Sequence, residues 1–472
     1  MNNKIIIFLK NFSYTLLSNL LSMVISVLVT LIVPRLIGVK EYGYWQLYLF
    51  YSSYVGFLHF GWNDGIYLRY GGQEYRDLDK RVFFSQFYML FILQITIATF
   101  IMITSMVFVK DENRVFILQM TSLCLVLTNI RIMLLYILQC TNRIKEYARI
   151  TILDRVIYCS LVIIFLIVGI REYKSMIVAD LIGRFISLLY AMNDCRDIVF
   201  SRICDFYFSY KEMIENVSVG IKLMFANIAS MLIIGVVRFG IERAWDVSTF
   251  GKVSLTLSIS NFMMIFINAV GIVIFPVLKR TDEKYFSNIY VIMRNCLMVV
   301  LFAAFIIYYP LRLLLSAWLP KYADSLKYMA LLFPMCIYEG NMALLINTYL
   351  KALRKEKMML KINFISMALS ILFTLITTKI LVNLDFAIAS IVILLAFRSL
   401  LAEAYLSKIL QIRLLKDIFL ELVLTLTFIV SGWFINSWYT VIIYGSVYLI
   451  YLFIKKNDIS NTIYNIKSLV KS

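Results

Sequence analysis

Residues Ser18–Leu47 read SNLLSMVISVLVTLIVPRLIGVKEYGYWQL, and a second stretch of equal length, Ala226–Leu255, reads ANIASMLIIGVVRFGIERAWDVSTFGKVSL. Aligned without a gap at an offset of 208, Asn19 falls on Asn227, Ser22 on Ser230, Arg35 on Arg243, Tyr42-Gly43 on Phe250-Gly251 and Leu47 on Leu255. Two apolar helices share a small alphabet and can match by chance. Polar residues that keep one register across a linker argue against that. Each stretch is one apolar span, a short basic linker and the start of a second span, so the chain is expected to consist of two related halves. In carriers built from such repeats, the substrate site lies between the halves.

Composition sets the solvent. With 62% hydrophobic and only 16% charged residues, a chain of 472 residues cannot hide its apolar surface in a water-soluble core. The run from Phe12 to Pro34 is long enough, at 1.5 Å per residue, to cross a bilayer core of about 30 Å. No Ala-x-Ala cleavage site follows it, so it reads as a retained first span. The expected fold is all-α and polytopic, with about fourteen spans: 12–34, 42–62, 83–109, 115–139, 150–170, 176–192, 218–240, 250–278, 289–315, 329–350, 359–381, 386–410, 417–435 and 438–454. A membrane barrel is excluded, because these are continuous apolar runs and not ten-residue alternating segments. The expected division is an N-terminal bundle over 1–192, a cytoplasmic linker over 193–217, a C-terminal bundle over 218–411, and two extra spans with a tail over 412–472.

The net charge of +18 does not point to nucleic acid, because Lys and Arg are spread through short linkers. Topology accounts for them. With the N-terminus inside, 27 cations fall in the termini and inner loops against 11 outside, which places both termini in the cytoplasm. The basic segments Arg69–Arg81, Lys351–Lys361 and Lys455–Lys471 suit anionic lipid heads, and Ile459, Ile463, Ile466 and Leu469 suggest an interfacial tail helix. The seven cysteines form no C-x-x-C pair and read as packing residues. His59 is the sole histidine, which argues against a histidine metal site or catalytic base. No metal and no cofactor is expected.

Two motifs carry a family resemblance. Val33–Trp45, with Arg35-Leu36-Ile37-Gly38, Tyr42-Gly43 and Trp45, and Phe60–Gly72, with Phe60-Gly61-Trp62-Asn63-Asp64-Gly65, resemble polysaccharide repeat-unit (Wzx-type) flippases of the multidrug/oligosaccharidyl-lipid/polysaccharide exporter superfamily. The resemblance implies two six-span bundles facing a central cavity, plus two C-terminal spans. It also implies a cargo, an undecaprenyl-pyrophosphate-linked oligosaccharide moved across the bacterial cytoplasmic (inner) membrane for O-antigen, capsule or exopolysaccharide assembly. Membrane lipids, a polysaccharide polymerase and chain-length machinery are the implied partners. Relatives carry basic residues in the cavity; here the first span has no charge between Phe12 and Pro34, so a cationic site has to come from other helices.

Eight cations lie within the expected spans: Arg131, Arg155, Arg184, Lys222, Arg238, Arg294, Arg312 and Arg398. Each costs about 2.5 to 3.5 kcal/mol at a helix centre on insertion scales, so such residues face protein or a wet cavity. Arg155, Lys222, Arg294, Arg238 and Arg312 are near span ends, where snorkelling to head groups is the alternative. Arg131 and Arg398 lie deeper and are the leading pyrophosphate ligands. Arg184 is also deep, but Asp180 precedes it by four residues, the spacing of an ion pair on one helix face. Arginine forks suit phosphate oxygens, while Asn19, Ser22, Asn227, Asn261 and Asn268 can bond sugar hydroxyls. Glu339, five residues after Pro334, is a candidate proton or Na⁺ site, or else a partner of a neighbouring cation.

Two other classes compete. A Na⁺- or H⁺-driven multidrug exporter of the same superfamily would place more acid than base among its spans. An O-antigen polymerase or ligase, an enzyme, would carry a large outer loop, and this chain has none. Moving a cargo needs no bond chemistry, so no catalytic residues are expected.

Overall fold

The computed structural model describes residues 2–264, 267, 285–435 and 439–462. Nearly all of them are helical, and no strand occurs among the described residues. Helices of eight residues or more are α1 Asn2–Leu36, α2 Val39–Ser52, α3 Trp62–Arg69, α4 Lys80–Phe108, α5 Glu112–Cys140, α6 Ile144–Val168, α7 Tyr173–Asp194, α8 Tyr210–Ala244 and α9 Val247–Ser260. They continue as α10 Phe286–Trp318, α11 Met329–Ala352, α12 Glu356–Ile380, α13 Leu384–Leu410, α14 Leu415–Phe434 and α15 Tyr439–Ile454. The repeat appears in their lengths. Helices α1 and α8 are both 35 residues long and α2 and α9 both 14, each pair displaced by the same 208 positions.

The expectation of fourteen spans meets, among the described residues, eleven helices long and apolar enough to cross a bilayer, or twelve if α15 and its continuation Lys456–Thr462, bent by 64°, count as one. Two expected spans account for the difference from twelve. Residues 265, 266 and 268–278 of span 250–278, Asn268 among them, lie outside the described residues, as do the tail residues Ile463, Ile466 and Leu469. Span 42–62 is broken. After α2 the chain turns at Phe60 and Gly61, with φ of 53° and 81°, and restarts as α3. A break in a membrane interior frees carbonyls that water cannot satisfy. Here side-chain amides take them: Asn129 Nδ2 donates to the Val55 carbonyl at 3.0 Å and Gln94 Nε2 to that of Leu58 at 3.1 Å.

The chain forms two compact units. The first comprises Met1–Ile228 with Val247–Gly251, the second Ala229–Asp246 with Lys252–Ser472. In the first, a core of Trp62, Ile66, Phe83, Phe87, Leu134 and Leu138 also receives Cys195 and Val199 from the segment after α7. Glycines set the crossing of α3 over the start of α8. A Cβ on Gly65 would lie 1.9 Å from the Asn216 carbonyl oxygen, and one on Gly220 would lie 2.0 Å from that of Gly61. Close approach brings Arg69 to Glu212, Glu215 and Asn216 at 2.8, 2.5 and 2.6 Å. Gly43 and Gly251, partners in the repeat, also meet within this unit, a Cβ on Gly251 falling 2.7 Å from Gly43 Cα.

The second unit is built on an aromatic cluster in which the Phe305 and Phe428 ring centroids are 4.3 Å apart, with Tyr308, Phe333 and Tyr444 around them. Beside it, Arg294 does not snorkel. It is 1% exposed and donates four hydrogen bonds of 2.6 to 3.2 Å, two to Glu403 of α13 and two to Glu421 of α14. Tyr290 also donates to Glu403, and Lys455 bonds Asp417 at 2.8 Å, so charge-assisted bonds join α14 and the end of α15 to the rest of the unit. Large apolar side chains cover the outside, Phe108 and Phe453 at about four-fifths exposure among them, as a lipid-facing surface requires. The molecule is a multi-pass α-helical membrane protein.

Candidate functional site

The deep cations are held in polar clusters, one set in each unit. In the first unit Arg131 of α5 donates to Asp154 of α6 at 2.8 Å and to Ser187 of α7 at 3.1 Å, and Ser187 passes a bond to the Ile150 carbonyl. The guanidinium is 8% exposed, and its Nε has no hydrogen-bond partner. A turn away, Arg184 donates to Asp180 at 2.7 Å and to Thr128 at 2.8 Å, and Tyr48 of α2 donates to the same Asp180 oxygen. Arg155 is looser, 3.9 Å from Asp154 and over a third exposed. These groups tie α2, α5, α6 and α7 together.

In the second unit Arg398 of α13 spreads three bonds. Nη1 donates to Glu339 of α11 at 3.0 Å, Nε to Asn363 of α12 at 2.9 Å and Nη2 to Ser230 of α8 at 2.8 Å. The arginine is 2% exposed, but Glu339 keeps about a quarter of its side-chain surface open. Helix α11 passes through a π-helical turn, Asn341–Ile346, just beyond Glu339. Such turns widen a helix locally and free its side chains from regular stacking. Arg238 of α8 donates to Ser254 of α9 at 3.1 Å.

The remaining candidates stand apart from these clusters. Lys222, Asn19 and Asn227 are exposed on their helices, and so is Asn261. The repeat pair Ser22 and Ser230 diverges in use, since Ser22 has a buried hydroxyl without a partner whereas Ser230 receives Arg398. Among the described residues no three His, Cys, Asp or Glu side chains converge as a metal site requires.

Sequence reasoning did not single out Tyr48, Thr128, Ser187 or Asn363. Thr128, Ser187 and Asn363 are neutral partners of buried arginines and Tyr48 donates to Asp180, and helix periodicity gives no signal for contacts between different spans. The common logic of the two units is one deep arginine bound at once to a carboxylate and to neutral oxygens of other helices, Ser187 for Arg131 and Asn363 and Ser230 for Arg398. Such a group can exchange an anion, because its fork offers five donors and the carboxylate uses only one of them here.

The family profile described as polysaccharide biosynthesis protein matches residues 8–282, more than half of the chain and both repeat stretches. No curated protein sequence matches significantly. Solved structures share the fold at low identity. An inward-facing multidrug resistance MATE family transporter of the MOP superfamily aligns with a TM-score of 0.63 at 13% identity, over 83% of this chain and 98% of its own. The lipid II flippase MurJ in an inward closed conformation aligns with a TM-score of 0.63 at 12% identity, over 95% and 99%. A MOP superfamily transporter from Pyrococcus furiosus, with a binding pocket described as of reverse polarity, aligns at 0.51 and 13%, over 85% and 96%. With its repeat, its two motifs and its helical fold, the chain belongs to the polysaccharide biosynthesis protein family, the Wzx-type flippases of the multidrug/oligosaccharidyl-lipid/polysaccharide superfamily.

Proposed function

We propose that the chain moves an undecaprenyl-pyrophosphate-linked oligosaccharide repeat unit from the inner to the outer leaflet of the bacterial cytoplasmic membrane, for O-antigen, capsule or exopolysaccharide assembly, by alternating access of its two repeat halves. The observation that carries this reading is the family match over residues 8–282. The charge of the deep clusters fits it. In this reading the exposed Lys222 and the half-open Arg155 meet the pyrophosphate first, and Asn19 and Asn227 bond sugar hydroxyls. Arg131, Arg184 and Arg398 then exchange a carboxylate for phosphate oxygens, with Arg238 alongside. Glu339 is the ion-coupling residue: a proton or Na⁺ on it releases Arg398. Both termini are cytoplasmic, residues 193–217 form the cytoplasmic linker between the bundles 1–192 and 218–411, and a polymerase takes the product outside. A drug exporter needs acids where this chain has arginines.

In a host strain lacking the chromosomal copy, Arg131→Gln and Arg398→Gln are expected to abolish surface polysaccharide at normal protein level, with Lys rescuing partly. The bidentate fork is what lysine cannot reproduce. Normal polysaccharide from both Gln variants would remove these arginines from the cargo path.

A further inference from the structure

We propose a binding site for an anionic glycerophospholipid head group at one end of the second unit, in a cavity of about 450 Å³ lined by Tyr309, Arg312 and Ser316 of α10, Asp324 and Lys327 of the following turn, and Thr440 of α15. The volume is within the range of small-molecule pockets. Its position is fixed by chain reversals: α10 ends at Trp318, α14 ends at Phe434 and α15 begins at Tyr439. Trp318 and Tyr439 are exposed there, the aromatic composition of a bilayer interface. Leu314 and Ile442, the chain neighbours of the lining residues Leu313 and Val441, are each about two-thirds exposed and offer apolar surface for acyl chains.

The polar lining is incomplete in a way that calls for an anion. Arg312 donates to Tyr308 Oη at 3.3 Å and has no carboxylate within ion-pair distance among the described residues. Lys327 rests over the rings of Trp433 and Tyr328, 5.1 and 5.2 Å from their centroids, and likewise has no acid partner. Tyr309 is only 7% exposed, and its Oη makes no hydrogen bond of regular geometry; it lies near the Ser431 hydroxyl, which donates to the Phe428 carbonyl. A buried hydroxyl left unmade costs about 1 to 3 kcal/mol, which a phosphate oxygen in the cavity would recover. The three charged groups sum to one positive charge, matching a phosphodiester with a neutral head. Asp324 can then accept from a head-group hydroxyl, and the net positive charge of the lining favours a head of net charge minus one, such as phosphatidylglycerol, over a zwitterionic one. The site is separate from the deep arginine clusters and does not depend on the identity of the cargo.

Native mass spectrometry of the full chain, titrated with phosphatidylglycerol, tests this. The Arg312→Gln/Lys327→Gln double variant is expected to retain the lipid at least about tenfold less than wild type, the loss of even one of its two charge-assisted phosphate contacts being worth a factor of that order. Tyr309→Phe removes only the unmet hydroxyl, so it should lower retention while leaving the melting temperature unchanged. Undiminished retention in the folded double variant, or in Tyr309→Phe, would overturn the site. Equal retention of phosphatidylethanolamine would overturn the charge assignment, and displacement of phosphatidylglycerol by undecaprenyl phosphate at equal concentration would give the cavity to the cargo and overturn its assignment to a membrane phospholipid.

Discussion

Removing the guanidinium of Arg294 leaves Glu403 and Glu421 facing each other without a cation in a dry interior. Breaking a buried pair in this manner costs about 3 to 5 kcal/mol, so Arg294→Leu should lower the melting temperature in detergent markedly or abolish folded protein. Lysine should not restore it, because one ammonium cannot make the four bonds of the fork. Arg155→Gln offers the contrast: a half-open side chain 3.9 Å from its acid should change stability by no more than about 0.5 kcal/mol. Sequence spacing revealed the Asp180–Arg184 pair, because both lie on one helix four residues apart. It could not reveal Arg131–Asp154 or Arg398–Glu339, whose partners lie on different spans, nor the burial of Arg294, which stands close enough to a span end to snorkel.

At the scale of elements, the crossing of α3 over α8 tolerates no side chain at Gly65 or Gly220. Gly220→Ala should cost about 1 to 3 kcal/mol or more through overpacking, whereas Gly445→Ala, with open space around its position, should be neutral or slightly stabilising. Thermal unfolding of the two variants side by side checks this. The motif around Phe60–Gly65 was visible in the sequence as a family feature, and the break it makes was not. An apolar run reads as continuous whether or not a left-handed residue interrupts it, and the amides that permit the break, Asn129 and Gln94, sit far along the chain. By contrast, the offset of 208 was legible in the sequence from the matched polar residues, and the helix pairs α1 and α8, α2 and α9 keep that same offset.

For the whole molecule, the proposed topology, drawn from the bias of 27 cations to 11, puts residues 193–217 on the cytoplasmic side. The native cysteines there report on it. Cys204 is exposed, while Cys195 is buried, and burial pushes its thiol up to about 12. A membrane-impermeant maleimide should therefore label Cys204 in inside-out vesicles and not in intact cells, with Cys195 unlabelled in both and Cys204→Ser as the control. Labelling of Cys204 from outside would invert the proposed topology.

The proposal as a whole is that this chain transfers a lipid-linked oligosaccharide between leaflets. Purified protein reconstituted into liposomes with undecaprenyl-pyrophosphate-linked oligosaccharide, probed by an impermeant glycan-modifying enzyme, measures that directly. Modification is expected to proceed beyond the outer-leaflet half to near completion with the wild-type chain, and to stop at half with Arg398→Gln. Modification that stops at half with folded wild-type protein, under an imposed proton or Na⁺ gradient of either sign, would contradict the proposed transfer.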